Sequence, residues 1–518
     1  MPRYKPQERN GLFLPVVLSE QIVPGSFAFA LDYLVNHELD LSELDARFRN
    51  GETGASAYDP RVMLKIVLFA YSQGLLSSRA IERACLHNVQ FIALSGNSQP
   101  SHAHIAKFVS QLGEQVKALF AQVLVTCDGQ GLIGGELFAI DGVKLPSNAS
   151  KECSGTHEEL HQRAVRLERA AERIVSMHQG QDRIGNDGDF DERRRKRVEA
   201  LRREAARTRE FLSQAPKRLN GQGQEIKTNV TDPESGKMAT GKGVIQGYAA
   251  QAAVDGDHQI IVAADVVGSV AEHGMLLPMV EQAVAYRQDH TLVLADSGYH
   301  TKDNVEQLEA RGIPALIADK QMRKRDERLA NQARFKPKHD VLYDKTLKTR
   351  KPSGKERFRP HDFDFRDDGT CLCPAGKTLV SNGSTYLVDK GLHRQDYKAS
   401  ADDCGPCELR AKCLRHPDRT PARKVYLFSA RSPDWVEPKN VVERDDAITR
   451  MRTAIDSPEG RRRYGRRIGT VEPVFGNLRH NKRLARFNLR GRHKVNTQWH
   501  LYCMVHNIEK LAGSGWRA

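Results

Sequence analysis

The sequence has no apolar run that approaches the roughly 20 residues needed for a membrane-spanning helix. Residues 1–10 also lack the charged-then-apolar layout of a secretory signal peptide. No Walker-type glycine loop is evident, so the sequence predicts no nucleotide cofactor. Together these absences predict a cytoplasmic protein that has no membrane partner.

Acidic residues are outnumbered by basic ones. Asp plus Glu is 65 and Lys plus Arg is 80, which gives a net charge of +15. That balance favours a polyanionic partner, although a merely soluble basic protein is the alternative. A chain of 518 residues is too long for one ordinary core and predicts about two to four domains.

Three carboxylates stand in short motifs of their own. Asp141 follows the apolar run 137–140, Asp296 follows Leu-Val-Leu-Ala, and Glu472 lies within Val-Glu-Pro-Val-Phe-Gly. Both aspartates fall at the carboxyl ends of predicted strands, where open α/β sheets bind ligands. Three such acids near one point can hold Mg²⁺ or Mn²⁺ ions that activate an oxygen nucleophile against a phosphodiester.

Each of these acids also has an ordinary structural interpretation. Asp141 could start a turn, and Asp296 could form an Asx-turn or cap a helix. Glu472 could be a surface helix residue paired with Arg467 or Arg479. If one of the three is misplaced, the next candidates are Asp232, Asp255 and Asp265.

Five motifs in a fixed order carry a family resemblance. They are Tyr-Asp-Pro-Arg at 58–61, Ala-Ile-Asp-Gly at 139–142, Gln-Gly-Tyr-Ala-Ala-Gln-Ala-Ala-Val-Asp at 246–255, Ala-Asp-Ser-Gly-Tyr at 295–299, and Val-Glu-Pro-Val-Phe-Gly-Asn-Leu-Arg at 471–479. With them the chain resembles the DDE transposases of bacterial insertion sequences, most closely the type of insertion-sequence family eleven-eighty-two. The resemblance implies an α/β, ribonuclease-H-like catalytic core in which Asp141, Asp296 and Glu472 are the metal-binding catalytic acids.

The resemblance also implies DNA contacts around Glu472. Tyr464 and Arg467 match the tyrosine and arginine of the family's signature, although the gap from Arg467 to Glu472 is one residue longer than usual. Arg479 stands where the family has a lysine. Residues 473–494 contain no acid, and their basic side chains are expected to bind phosphates. The DNA-binding residues expected in this region are Tyr464, Arg467, Arg479, Lys482, Arg483 and Arg486.

Hydrophobic periodicity predicts the organisation of the chain. Residues 1–130 are expected to form a helical N-terminal DNA-binding domain, either a helix-turn-helix reader or a plain bundle. Residues 131–319 form the catalytic core, with a helical hairpin at 156–215 whose arginines are either a solvated face or a DNA contact. A basic, cysteine-rich insertion occupies 320–440, and helices of the core resume at 441–518.

Five of the nine cysteines cluster between residues 371 and 413. In a reducing compartment such a cluster indicates metal binding rather than disulfides. The predicted ligands of a structural Zn²⁺ are Cys373, Cys404, Cys407 and Cys413, with Cys371 spare. Ordinary reduced thiols and redox chemistry are the alternatives.

These features favour a transposase. It would bind the terminal inverted repeats of its element, cleave there, and join the ends to target DNA by metal-dependent phosphoryl transfer. Its partner would be double-stranded DNA, and pairing of two ends implies a homodimer in the DNA complex. The alternatives are an inactive or domesticated DNA-binding protein and a ribonuclease-H-like nuclease.

Overall fold

A computed structural model describes ten stretches of the chain: residues 16–48, 56–181, 188–221, 223–241, 243–268, 272–326, 357–366, 368–387, 392–430 and 446–517. The chain divides into two compact units. The first comprises residues 1–326 and 445–518, and the second comprises residues 327–444. Within the stretches described, no helix has both the length and the apolar character needed to cross a membrane.

Short polar side chains fix the starts of the N-terminal helices. The Ser77 hydroxyl accepts the Ala80 N–H at 3.2 Å, and the Ser101 hydroxyl caps the helix that follows it. The helices are α1 Phe27–Tyr33, α2 Ser42–Asp45, α3 Pro60–Ser72, α4 Ser78–His87, α5 Val89–Leu94, α6 His102–Gln111 and α7 Gln115–Gly129.

A mixed six-stranded sheet forms the centre of the first unit. Strand β5 runs antiparallel to β1, β4 and β6, whereas β7 is parallel to both β1 and β8. Apolar and alanine-rich runs such as 292–295 are buried on both faces because helices cover the sheet. The strands are β1 Leu137–Pro146, β4 Gly236–Thr240, β5 Gly243–Asp255, β6 Ile261–Val267, β7 Leu292–Ala295 and β8 Ala315–Ile317, and β2 Ser154–Gly155 and β3 Thr228–Asn229 form a separate pair. This architecture is consistent with a ribonuclease-H-like core.

Two long helices follow β2 and pack against each other. They are α8 His157–Gln181 and α9 Gly188–Gln214. Ala171, Val198 and Leu201 are buried between them, and the Arg209 Nε–Glu168 Oε1 distance is 2.6 Å. Two shorter helices, α10 Leu276–Gln282 and α11 Lys302–Ala310, connect the later strands.

The second unit contains an antiparallel sheet of strands in the order β13-β12-β11-β10-β9. Phe363, Cys371, Leu379 and Tyr397 belong to its small core. The sequence identified this region only as a basic, cysteine-rich insertion, so its sheet was not predicted. The bounds are β9 Asp364–Phe365, β10 Thr370–Leu372, β11 Thr378–Leu387, β12 Leu392–Lys398, α12 Ala401–Cys404, α13 Arg410–Cys413 and β13 Lys424–Ala430.

The chain returns to the first unit as three helices, α14 Ala447–Asp456, α15 Pro458–Gly476 and α16 Arg492–Gly513. Helix α16 is buried along most of its length because it packs against both the N-terminal helices and the sheet. Its Trp499 donates a hydrogen bond to the Gln251 carbonyl of β5 at 2.9 Å, and Tyr502 stacks on Tyr71 of α3. Helices on both sides of the boundary expected near residue 130 share one core.

Candidate active site

The register of two parallel strands brings Asp141 and Asp296 together. Ile140 of β1 pairs with Ala295 of β7, so the aspartates that follow them lie side by side. Neighbouring strands are about 4.8 Å apart, and residues at the same level point to the same face. Asp296 directly follows its strand, as expected. Asp141 instead lies inside β1, because pairing with β5 extends that strand to Pro146.

Backbone amides and one arginine hold these carboxylates. Asp141 Oδ1 accepts the Gly142 N–H at 2.7 Å, and its Oδ2 accepts a 2.7 Å hydrogen bond from Nη1 of Arg467 on α15. The Arg467 and Asp141 side chains are only 12% and 18% exposed. Asp296 Oδ1 accepts the Gly298 N–H at 2.7 Å, which is the Asx-turn that the sequence allowed.

Burial raises the pKa of Asp141, and the negative charge of Asp296 raises it further. The Arg467 guanidinium and the Gly142 N–H act in the opposite direction. Tyr464, one helical turn before Arg467, lies with its ring centroid 5.9 Å from the guanidinium carbon, and burial raises its pKa. The two adjacent carboxylates thus form an acidic centre, and Arg467 neutralises part of its negative charge.

Glu472 lies on the same helix but is exposed. At about 100° per residue, the five residues from Arg467 place it about 140° around the helix, away from the face that contacts Asp141. Among the residues described, no three His, Cys, Asp or Glu side chains are grouped closely enough to hold a metal ion. The structure therefore brings two of the three expected acids together and leaves the third apart.

Helix α15 is irregular beside Glu472. Pro473 stands inside the helix and lacks the N–H that would bond the carbonyl of Gly469. The side chain of Gln259 donates to that carbonyl at 3.0 Å instead. A π-helical segment, Asn477–Asn481, continues directly from the end of α15. The backbone next to Glu472 is therefore held partly by a side chain rather than by the helix itself.

Three further residues near the aspartates were not identified from the sequence. Lys144, three residues after Asp141, forms a 3.2 Å ion pair with Glu272, whose side chain is 18% exposed. Tyr299 donates a hydrogen bond to Gln251, and burial raises its pKa together with the charges of Asp141, Glu272 and Asp296. Tyr299 belongs to the second aspartate motif and Lys144 lies two residues after the first, whereas no sequence pattern distinguishes Glu272.

The three alternative candidates for the acidic site, Asp232, Asp255 and Asp265, have structural roles. Asp232 accepts the Tyr248 hydroxyl at 2.6 Å, and both residues are buried. Asp255 is buried at the end of β5, where backbone N–H groups bond its carboxylate. Asp265 pairs with Arg492 at 3.1 Å. These contacts explain the three carboxylates without a metal.

The predicted phosphate-binding residues differ in exposure. Arg479, Arg483 and Arg486 are exposed. Lys482 is 5% exposed, and its ammonium contacts Glu509 at 2.5 Å. Glu509 neutralises the ammonium charge of Lys482 inside the fold, so Lys482 is not exposed for the phosphate contact that was expected.

The four cysteines expected to bind zinc line one small cavity of about 30 Å³ in the second unit, although their side chains are not grouped closely enough in this structure to hold a metal ion. The Lys377 N–H donates to the sulfur of Cys373 at 3.3 Å. Burial raises the pKa of Cys413, and the other three thiols lie close enough to raise it further. Cys371 is instead buried in the core of its sheet, where burial raises its pKa to about 11.

Replacing Arg467 by Gln is expected to destabilise the first unit by about 2–4 kcal/mol in metal-free buffer, because it leaves a buried carboxylate without its counter-charge. Mn²⁺ should restore part of this loss, since a cation between Asp141 and Asp296 replaces the missing charge. Thermal unfolding with and without Mn²⁺ measures both effects.

The control is Arg462→Gln on the same helix, where Arg462 is exposed and paired with Glu459. Its expected change is within about 0.5 kcal/mol, with no response to Mn²⁺. Equal losses in the two variants would show that the Arg467–Asp141 contact contributes nothing specific.

Two family models match this chain. Residues 372–512 match a model described as a transposase DDE domain, and residues 16–111 match one described as a transposase domain, DUF772. The first match spans four of the clustered cysteines, Arg467 and Glu472, but neither Asp141 nor Asp296. No curated protein matches the sequence. Both matches are to transposase domains, and together they support a DDE-type transposase.

Proposed function

We propose that this chain is the transposase of an insertion sequence of the family eleven-eighty-two type. It binds the terminal inverted repeats, cleaves at the element's ends and joins them to target DNA. The observation that supports this most directly is the position of Asp141 beside Asp296 on adjacent parallel strands, within reach of Arg467. The matches to transposase domains supply the class of reaction.

The acidic centre fits a hard divalent cation. Asp141 and Asp296 offer carboxylate oxygens on one face of the sheet, and Arg467 already supplies one positive charge there. These aspartates would hold Mg²⁺ or Mn²⁺, which supplies activation of the oxygen nucleophile and stabilisation of the leaving oxygen. Arg467 is placed to pass from Asp141 to a phosphate oxygen of the bound DNA, and Tyr464 flanks it.

Glu472 completes the three-carboxylate site in this proposal. Its helix must then change near Pro473 when DNA binds, at the point where a missing backbone hydrogen bond already weakens the helix. Glu272 is a second candidate for the third carboxylate, because it lies near Tyr299, although it is not grouped with the two aspartates closely enough to hold a metal ion with them. Glu272 does not lie on α15, so the two glutamates can be compared by mutation.

The N-terminal helices are the proposed reader of the inverted repeats. Helices α4 and α6 pack against each other, and their exposed basic side chains include Arg79, Arg83 and Lys107. Such a pair can place one helix in the major groove while the other lies on the backbone. Two chains would bind the two ends as a homodimer.

The cysteine cluster is proposed to hold a structural Zn²⁺ through Cys373, Cys404, Cys407 and Cys413. The common cavity and the N–H donated to the Cys373 sulfur support it, because a thiolate ligand is stabilised by such a hydrogen bond. The ion would stabilise a unit whose apolar core is small.

The test is a cleavage and strand-transfer assay on labelled duplexes that carry the element's own ends, with Mg²⁺, with Mn²⁺ and with neither. A transposase produces both cut ends and joined products, and only with a cation. Cutting without joining would favour the nuclease, and repeat-specific binding without cutting would favour the inactive DNA-binding protein.

A further inference from the structure

A groove of about 430 Å³ lies at the far end of the strand that carries Asp141. Its lining includes Ser147, Asn148, Ser150, Lys151 and Arg486, with backbone and side chains of β5 opposite. No acidic residue lines it. Hydroxyl, amide, ammonium and guanidinium groups are the donors that proteins use for phosphate oxygens.

Arg486 lines one wall of the groove and belongs to the segment of residues 482–491, which lies between α15 and α16. Hydrogen bonds and a buried side chain attach this segment to the rest of the first unit. The Phe487 N–H donates to the Pro146 carbonyl at 2.8 Å, and the Phe487 side chain is fully buried against Tyr248. The Asn488 side chain donates to the Leu76 carbonyl at 2.9 Å. This basic segment is thus a fixed surface and not a loose tail.

Asn148 links the two walls. Its Oδ1 accepts Nη2 of Arg486 at 2.8 Å, and its backbone carbonyl accepts Nε and Nη2 of Arg490 at 3.2 and 2.9 Å. Its Nδ2 donates to the Asn488 carbonyl at 3.2 Å. Each arginine keeps further N–H groups that Asn148 does not engage, and both side chains are on exposed residues.

We propose that this groove binds phosphates of the DNA backbone and that Asn148 is the positioning residue that orients Arg486, which lines the groove, and Arg490, which bonds the Asn148 carbonyl outside the lining, toward them. The inference rests on the proposed function, because it takes DNA as the ligand. From Asp141 to Pro146 the strand advances five residues, about 17 Å. That equals about five base-pair steps at 3.4 Å each, so the groove contacts DNA flanking the cleaved bond.

Backbone contacts of this kind are independent of sequence. The experiment therefore measures binding of a mixed-sequence 40-base-pair duplex by fluorescence anisotropy over a series of salt concentrations. The variants are Asn148→Asp and the double variant Arg486→Ala with Arg490→Ala. Asn148→Asp retains the oxygen that Arg486 bonds and the backbone carbonyl that Arg490 bonds, but it loses the Nδ2 donor to the Asn488 carbonyl and adds a negative charge that repels phosphate.

Asn148→Asp is expected to weaken binding about tenfold or more at 0.1 M salt. The double variant should reduce the magnitude of the negative slope of log K against log salt by about 1.8, at about 0.9 for each lost phosphate contact. The control is Arg311→Ala, an exposed arginine paired with Glu281, for which affinity and slope should not change. Thermal unfolding of each variant shows whether the fold is intact.

Wild-type affinity and slope in both folded variants would overturn the groove proposal, as would failure of the wild-type chain to bind the duplex. Cleavage is not part of this measurement. If the chain binds DNA through the groove but never cuts it, the groove proposal stands and the proposed function is wrong. If the chain cuts and joins DNA while Asn148→Asp binds normally, the proposed function stands and the groove proposal is wrong.

Discussion

Replacement of Asp296 or Asp141 by Asn is expected to reduce strand cleavage by about 10³-fold or more while DNA binding is retained. An amide has no negative charge with which to hold a divalent cation, and the two aspartates lie side by side on one face of the sheet. The amide is nearly isosteric, so the Asx-turn to Gly298 can persist through the amide oxygen. Labelled DNA ends, scored for both cutting and binding, measure the two effects separately.

The matched control is Asp303→Asn, seven residues after Asp296 in the first turn of α11. Asp303 is exposed and is expected to affect cleavage by less than about twofold. If Asp296→Asn cuts at the wild-type rate, the two-aspartate centre is not the catalytic site.

The same assay identifies the third carboxylate. Glu472→Gln is expected to lose cleavage to a similar extent, because the proposed mechanism draws Glu472 to the aspartates when DNA is bound. Glu272→Gln is expected to retain measurable cutting. The reverse result would assign the third position to Glu272, which already lies near Tyr299 and Lys144. It would also remove the need for a change in α15.

Purified protein is expected to contain about one zinc ion per chain, and Cys407→Ser should lose most of it. The Cys407 side chain shares its cavity with three other thiols, and a structural tetrahedral site with three thiolates binds zinc far more weakly. The second unit should then unfold or become sensitive to protease, because zinc supplies folding energy that its small core lacks. Metal analysis and limited proteolysis between residues 357 and 430 measure the loss.

Cys153→Ser is the matched control, since Cys153 lies in the first unit, outside the cluster, and is half-buried. It should retain zinc and resistance to protease. Full zinc content in Cys407→Ser, or protein that contains no zinc when prepared without chelators, would refute the zinc site and leave reduced thiols or redox chemistry.

Local patterns predicted much of the fold. The caps at Ser77, Ser101 and Thr301 start helices because a hydroxyl at that position satisfies a free backbone N–H whatever the tertiary context. The apolar runs 137–140 and 292–295 both lie in strands, β1 and β7, although β1 continues beyond Asp141 to Pro146. The sheet of the second unit was not predicted, because its strands are polar and irregular and bury only a small core.

The sequence did not predict the contacts between residues that are distant in the chain. Whether Glu472 faces Asp141 depends on how α15 is rotated against the sheet, and side chains distant in the chain set that rotation. The ion pair of Lys482 with Glu509 likewise converts an expected phosphate contact into a structural one. Helices α3 and α16 and the sheet share one core across the boundary that hydrophobic periodicity indicated near residue 130.

The sequence by itself determined the class of protein, the two aspartate motifs and the cysteines that share a cavity. Those features depend on residue type and on the short distances in sequence between neighbouring residues, and both can be read directly from the chain. Only the tertiary structure decided that Ile140 pairs with Ala295, that Arg467 bonds Asp141, and that Asn148 holds two arginines more than 330 residues away. Each of these contacts joins segments far apart in the chain, and packing of the whole core fixes which atoms meet.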